Sequence, residues 1–409
     1  MKASVLLALL TTTVGVGLAA PAVKDVAKDV PQTHKEFVLF HSSNMKGADK
    51  LPFAVIFHSF RVPALVTTST GRVLAFAEGR RRDNRDVDDV RIVMKRTKEV
   101  TSHGADPKDW ESLQVVTKDD GVWTNPTPVV DGNTIYLFLN WHNAKFSREG
   151  DDKLHNGKKT NKIDGKWKSR QHLYVTQSTD DGQTWSDPKD VTKQLAPKGL
   201  AWDTVGPGNG IVLTTGEVVV PAMGRNIIGQ GTPGQRTWTF KKLKGAGDEG
   251  TIVQTPDGKL YRNDRAGKDE EYRKIGRGTL EKFGKFSLDK GLPDPDCAGA
   301  TLLYAADGKG PARVVFLNSA DKNTRRAMRV RISYDKDAKG YTHGRKLADA
   351  PVAGAGNEGG YASLTRTADG EVGALVETNF DQTGGGSKDD HYAIIWRKFN
   401  LSWVLHGSK

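Results

Sequence analysis

The sequence predicts an all-β fold, a six-bladed β-propeller, and three observations carry that prediction. First, six tight glycine turns each lie between two apolar runs: Thr70-Gly71, Asp131-Gly132, Thr215-Gly216, Asp257-Gly258, Asp307-Gly308 and Asp369-Gly370. Such a turn needs positive φ, which glycine adopts without strain, so the pattern reads as a hairpin. Second, the turn glycines recur at gaps of 61, 84, 42, 50 and 62 residues. A quasi-period with insertions suits a radial array in which each unit is one small sheet. Third, 45 glycines among 409 residues, 36% hydrophobic content and few long heptads suit a turn-rich β protein.

Taken in chain order, residues 1–20 read as a secretory signal peptide. Met1-Lys2 supplies a positive start, Ala3 to Leu18 is apolar and threonine-rich, and Ala19-Ala20-Pro21-Ala22 offers small residues for cleavage. Residues 21–409 then form a single domain. The strands before the turns are Pro63–Thr67, Pro128–Val130, Gly210–Thr214, Thr251–Gln254, Ala300–Tyr304 and Ala362–Thr365. Those after them include Val73–Ala77, Ile135–Leu139 and Val218–Val220. Lys145 to Arg170 mixes charges of both signs with Asn and Gly, and reads as an exposed excursion or lid between strands. Ser178-Thr-Asp-Asp-Gly182-Gln-Thr-Trp185 fits Ser-x-Asp-x-Gly-x-Thr-Trp, the Asp box. Its physics is structural: the Asp caps a turn, the Gly takes positive φ and the Trp packs beneath. Degenerate relatives start at Thr117 and Ser333.

Charge and cysteine content narrow the function. The net charge of +12 favours anionic partners, but the basic residues are scattered and no nucleic-acid module is present. Beyond the leader, no stretch approaches the ~20 apolar residues a membrane span needs. Cys297 is the single cysteine, so no intrachain disulfide forms. Asn400-Leu401-Ser402 is the one N-glycosylation acceptor pattern. The chain is therefore expected to be secreted, without membrane or nucleic-acid partners, as a monomer or a dimer.

Repeats also permit an argument from position. Residues at equal offsets from the turn glycine lie at the same height around the axis. Counting back nine or ten residues reaches Arg61, Glu249 and Tyr361, with the small Gly206-Pro207 and Ala298-Gly299 elsewhere. An Arg, a Glu and a Tyr thus point into one funnel, with space for a ligand between them. Polar residues also end several second strands, among them Glu78-Gly79-Arg80, Asn263-Asp264-Arg265, Asn318-Ser319 and Glu377-Thr378.

Several stretches carry a family resemblance. Phe60-Arg61-Val62-Pro63 resembles the Phe-Arg-Ile-Pro motif of the exo-sialidases (neuraminidases), six-bladed hydrolases that also carry Asp boxes. Leu74–Arg80, Asn125–Val129, Gly206–Ile211, Asp248–Gly250, Asn263–Arg265 and Gly359–Ser363 agree with that family in order, over residues 55 to 400. The secreted, cysteine-poor form is similar to fungal sialidases, some of which prefer the deaminated sugar KDN.

The resemblance implies roles. Sialic acids bear a carboxylate on the anomeric carbon, and arginine suits it by permanent charge and bidentate donation. Arg61 matches the first arginine of a triad, Arg265 the second, and Arg325 or Arg326 the third. Spacing to Val330-Arg-Ile-Ser333 favours Arg325. Tyr361 matches the nucleophile, with Glu249 as the base that takes its proton. Asp86 matches the acid and base; Asp83, Asp88 and Asp89 share its arginine-rich loop. Those arginines would lower an Asp pKa, whereas an acid catalyst wants it raised. Glu377 resembles a glutamate that orients the first arginine. The implied function is release of terminal KDN or N-acetylneuraminic acid from glycans with retention, without metal or cofactor. The alternative is a propeller lectin that binds sialic acid without cleaving it. Trp167, Arg170, Gln171 and Trp202 are candidates for the pocket around the C5 substituent, which decides between the two sugars.

Overall fold

Five of the six glycine turns fall within the computed structural model, which describes residues 27–51, 55–117, 120–305, 310–348, 352, 356–379 and 390–407. Each joins the first and second strands of a sheet, with φ of +100° at Gly71, +58° at Gly132, +99° at Gly216, +80° at Gly258 and +82° at Gly370. An L side chain at such φ is strained, which explains the residue type at each hairpin tip. Asp307-Gly308, the leader 1–20 and part of the motif that starts at Thr117 lie outside the described residues.

Among the described residues, all strands but two short pairs fall into six antiparallel meanders. The first is Ser59–Thr67, Val73–Arg80, Val90–Arg96 and Gln114–Val115. The second is Val122–Asp131, Thr134–His142, His172–Ser178 and Lys189–Asp190. A single parallel bridge, Val90 to Val122, links these two sheets. The third is Ile211–Val212, Val218–Ala222, Arg225–Thr232 and Gln235–Lys242. The fourth is Gly250–Gln254, Leu260–Asp264, Tyr272–Gly278 and Ser287–Pro293. The fifth is Ala300–Tyr304, Arg313–Ser319, Met328–Ser333 and His343–Lys346. The sixth takes Asn357–Arg366, Val372–Asn379 and Ile394–Phe399 from the C-terminal region and His34–Phe40 from the N-terminal region. The innermost strand of each sheet touches that of the next, and the sixth touches the first, so the sheets close into a ring.

Apolar layers fill the gaps between sheets. Val218 and Val220 pack with Val129 and Phe138 of the second sheet, while Val219 packs with Ile252 and Leu260 of the fourth. In the fifth sheet, Val314 and Phe316 face Val253 and Tyr261, while Val315 and Leu317 face Leu364 and Ala374 of the sixth. Alternate residues thus bury opposite faces, which is why these strands read as unbroken apolar runs rather than as alternation.

Local capping fits the sequence. In the Ser178–Trp185 turn, Asp180 Oδ1 accepts from Ser178 Oγ at 2.7 Å and from the Thr184 N–H at 2.9 Å. Gly182 has φ +77°, and Trp185 meets Phe76 edge-on at 5.8 Å. The Ser333 turn sits at the same place in the fifth sheet, where Asp335 Oδ2 accepts from the Gly340 N–H at 2.7 Å. The excursion after His142 carries the short parallel pair Phe146–Ser147 and Asn161–Lys162 and an antiparallel bridge between Lys153 and Lys159. Among the described residues, no helix is long and apolar enough to cross a membrane.

Asn400 has a structural task. It caps the helix Leu401–His406, accepting from the Trp403 N–H at 2.9 Å, and its amide donates to the Pro31 carbonyl at 2.7 Å. The same side chain that forms the glycosylation pattern therefore ties the last helix to the segment before His34–Phe40. Asn400→Ala removes both cap and tie, and is expected to cost about 1–2 kcal/mol in chemical denaturation.

Candidate active site

Bulges shape the rim at one end of the ring. The pairing register slips between Arg61 and Ala64, between Thr124 and Thr127, and between Glu358 and Ala362. Two of these slips hold Pro63 and Pro126, which have no N–H to give a ladder. The third holds Gly360, at φ +132°. Each bulge breaks the alternation of its innermost strand and re-aims side chains around the axis.

Glu377 locks two of the bulges together. Its fully buried carboxylate accepts from the Val62 N–H at 2.7 Å, the Tyr361 N–H at 3.0 Å and Arg61 Nη2 at 3.2 Å. A Cβ on Gly360 would lie 2.2 Å from Glu377 Oε2, so only glycine lets the carboxylate come this close. Val62, at φ +50°, is held in an uncommon conformation for a β-branched residue by that same N–H bond.

Tyr361 and Glu249 meet in the funnel. The Tyr361 hydroxyl donates to Glu249 Oε2 at 2.5 Å, and Arg265 Nη1 donates to both, at 2.9 Å to the phenol and 2.8 Å to the carboxylate. Asp296 grips the other side of Arg265 with two bonds, Nε to Oδ1 at 2.6 Å and Nη2 to Oδ2 at 2.8 Å. Burial, reinforced by the Glu249 charge, pushes the Tyr361 phenol well above its ordinary value, against the pull of Arg265 and Arg325. The resting group is therefore a neutral phenol.

The other arginines surround that ring. The Arg61 guanidinium lies 6.0 Å from the Tyr361 ring centre and 4.9 Å from that of Tyr392. Its buried Nε has no hydrogen-bond partner among the described residues. Arg325 lies 5.4 Å from the Tyr361 ring and donates to the Asp296 carbonyl at 3.1 Å. Arg326 turns outward, 52% exposed, and pairs with Asp321 at 2.9 Å. Of the two neighbours, Arg325 faces the funnel.

Asp86 stands at the mouth, its side chain 60% exposed, and pairs with Arg80. Burial by the cleft walls pushes its carboxyl up, but Arg80, then Arg61, His142 and Arg325, hold it below the usual value. The other aspartates of the loop are engaged elsewhere. Asp83 pairs with Arg85 at 2.6 Å, Asp89 with Arg81 and Arg91 at 2.8 Å, and Asp88 accepts from the His155 N–H at 3.1 Å. Two of the loop arginines, Arg81 and Arg85, therefore neutralise neighbouring acids rather than Asp86. Nearby, buried His142 has no partner at either ring nitrogen among the described residues, and burial lowers its pKa to about 4.

The C5-pocket candidates separate. Trp167 is 44% exposed, with the Lys193 ammonium 5.0 Å from its ring. Arg170 and Gln171 are buried, and the Gln171 N–H donates to the Ala201 carbonyl at 2.9 Å, beside Trp202. Arg148 lies 5.2 Å over the Trp202 ring. Among the described residues, no group of three or more His, Cys, Asp or Glu could hold a metal. Sequence reasoning missed Asp296, Tyr392 and His142. An acid-rich Asp294-Pro-Asp296 loop just before the small Ala298-Gly299 was the one available signal. Asn263 and Asp264, strand-end residues noted in the sequence, instead bind Arg273 at 2.6 Å and Arg262 at 2.8 Å within the sheets.

Comparison with known proteins gives a consistent picture. The BNR repeat-like domain profile matches residues 71–374. The chain is 60% identical to an exo-alpha-sialidase of Aspergillus fumigatus, over 95% of this chain and 96% of that one. It is 56% identical to an exo-alpha-sialidase of Arthroderma benhamiae, over 98% of both chains. Among solved structures, the intramolecular trans-sialidase of Ruminococcus gnavus aligns with a TM-score of 0.68 at 17% identity, over 89% of this chain and 99% of that one. A leech intramolecular trans-sialidase aligns with a TM-score of 0.70 at 18% identity, over 89% of this chain and 71% of that one. At such identities these likenesses speak for the fold.

The closeness of Gly360 to Glu377 yields a prediction. Gly360→Ala forces a strained φ and displaces the carboxylate, and is expected to lower stability by about 2 kcal/mol or more in chemical denaturation.

Proposed function

The chain belongs to the exo-alpha-sialidase family, and we propose that it is a secreted, retaining exo-glycosidase that releases terminal sialic acid from glycoconjugates. The observation that carries this reading is the 2.5 Å bond from the Tyr361 hydroxyl to Glu249, set among Arg61, Arg265 and Arg325. Around that bond the site offers a nucleophile, its base, cations for a carboxylate and, at the mouth, a second carboxyl.

In this reading the sugar carboxylate binds the three guanidinium groups of Arg61, Arg265 and Arg325. Asp86 gives its proton to the glycosidic oxygen as the bond to the anomeric carbon breaks. The Tyr361 oxygen attacks that carbon while its proton passes to Glu249. A phenol suits this task because it is uncharged beside the substrate carboxylate, where a carboxylate nucleophile would be repelled. In the second half, Asp86 takes a proton from water, the water oxygen replaces the Tyr361 oxygen, and Glu249 returns the proton to the phenol. Two displacements on one carbon give net retention.

For the substrate we favour KDN over N-acetylneuraminic acid. A basic, tight C5 pocket would take a hydroxyl more readily than an acetamido group, and the density of arginines around the site suits that. Secretion rests on the leader-like residues 1–20. The alternative, a lectin that binds without turnover, lacks a use for the Tyr361–Glu249 bond.

Three outcomes check this reading. Hydrolysis of a fluorogenic sialoside is expected, and binding without hydrolysis would favour the lectin. Tyr361→Phe should lower kcat by at least about 10³-fold with unchanged circular dichroism; wild-type turnover would remove the nucleophile assignment. In parallel kinetics on the two 4-methylumbelliferyl glycosides, kcat/KM should favour KDN at least about tenfold. Preference for N-acetylneuraminate would reverse the substrate choice.

A further inference from the structure

Beside the second-sheet bulge, two carboxylates meet on one buried guanidinium. Arg80, 2% exposed, donates from Nε and Nη2 to Glu78 Oε2 at 3.2 and 2.6 Å, and from Nη1 to the Asn84 carbonyl. Its Nη2 also reaches Asp86. Glu78, 1% exposed, accepts the Asn125 N–H on its other oxygen at 3.0 Å. Donors alone face the Glu78 oxygens. Burial, with the nearby Asp86 charge, raises its carboxyl to about 7 against the pull of Arg80 and the Asn125 N–H, so it carries its charge from about neutral pH upward. The reaction scheme above gives Glu78 no task.

We propose that Glu78 is a positioning residue for the acid catalyst: it shares the charge of Arg80 and fixes its guanidinium, so that Asp86 can still carry the proton the leaving oxygen needs. This rests on the reading of Asp86 as that acid. The groups facing Asp86 are Arg80 from its own hairpin, Arg61 from the innermost strand, His142 from the second sheet and Arg325 from the fifth. His142, with a pKa lowered to about 4 by burial, is uncharged near neutral pH. The remaining three are cations, and each disfavours the protonated acid. Arg80 is the one bonded to Asp86, and Glu78 is the anion bonded to the same Nη2 and to the neighbouring Nε of that cation. Glu78 exchanges no proton in the cycle; it alters how strongly Arg80 pulls on Asp86.

The sign follows. Removing the Glu78 charge leaves Arg80 less compensated, so Asp86 loses its proton at lower pH and the alkaline limb of kcat/KM moves down. The loss falls on substrates whose leaving group needs protonation. The test compares a lactose glycoside, with a poor leaving alcohol, and a 4-nitrophenyl glycoside, with a good one, of the same sugar.

For Glu78→Gln, the limb on the lactose glycoside should move down by about one pH unit. Its kcat/KM near neutral pH should fall about tenfold, against less than about threefold for the nitrophenyl glycoside. Glu78→Asp keeps the charge and should hold the limb within about 0.3 unit. If Glu78→Gln does not fold, Glu78→Asp decides. In Glu78→Asp, whose shorter side chain keeps the charge but displaces Arg80, an unmoved limb with a selective fall on the lactose glycoside supports the proposal, and a moved limb or no selective fall overturns it. Asp86→Ala is the reference. If it shows the selective loss while Glu78→Gln shows an unmoved limb or equal losses, the Glu78 proposal is overturned and the acid assignment stands. Equal losses in Asp86→Ala remove the acid assignment and the Glu78 proposal with it.

Discussion

One buried carboxylate holds the site together. Glu377 receives two backbone N–H groups and one guanidinium N–H, from the innermost strands of the first and sixth sheets. Burying a charge is costly unless it is paired and hydrogen-bonded, and here every contact is a donor. The arrangement therefore fixes the backbone of Tyr361 and Val62 and the side chain of Arg61 at once. Residues 300 positions apart in the chain meet because the ring closes at this seam (Arg61 and Tyr361). The N-terminal strand His34–Phe40 completes the sixth sheet by pairing with Ile394–Phe399, so the seam is sealed on its outer side as well.

The rest of the funnel repeats one device: an arginine seated on an acid. Asp296 and Glu249 hold Arg265, Glu377 holds Arg61, and Glu78 holds Arg80. Long guanidinium side chains would otherwise fold back or point at random, and seating them removes that freedom before a ligand arrives. Seating also limits repulsion between cations that crowd one ring, Tyr361. The layers between sheets supply rigidity from below. Because Val218, Val219 and Val220 alternate between two neighbouring layers, no sheet can rotate without disturbing both.

Much of this was legible in the sequence because repeats turn position into geometry. Arg61, Glu249 and Tyr361 fall nine or ten residues before their turn glycines, and the structure brings them to one funnel. Asp-Gly and Thr-Gly marked the hairpins because glycine alone takes those φ values cheaply. Other parts were hidden for physical reasons. Asp296 reaches Arg265 from an irregular loop with φ +55°, where no periodicity constrains direction. His142 ends an apolar strand and differs from its neighbours by one polar ring. The choice of Arg325 over Arg326 depends on which neighbour faces inward, and the structure turns Arg326 toward Asp321. The Asn400 pattern reads as a glycosylation acceptor and gives no sign that the side chain also caps a helix and bonds the Pro31 carbonyl.

The central claim, that the Tyr361 oxygen becomes bonded to the anomeric carbon, is open to one direct measurement. A 2,3-difluorinated sialic acid slows both displacements by destabilising the cationic transition state while keeping a good leaving group. Mass spectrometry of the protein after brief exposure, followed by peptide mapping, locates the sugar. The account predicts a single adduct on the peptide that holds Tyr361, absent in Tyr361→Phe. An adduct carried by Asp86 or Glu249, or turnover with inversion and no adduct, would contradict it.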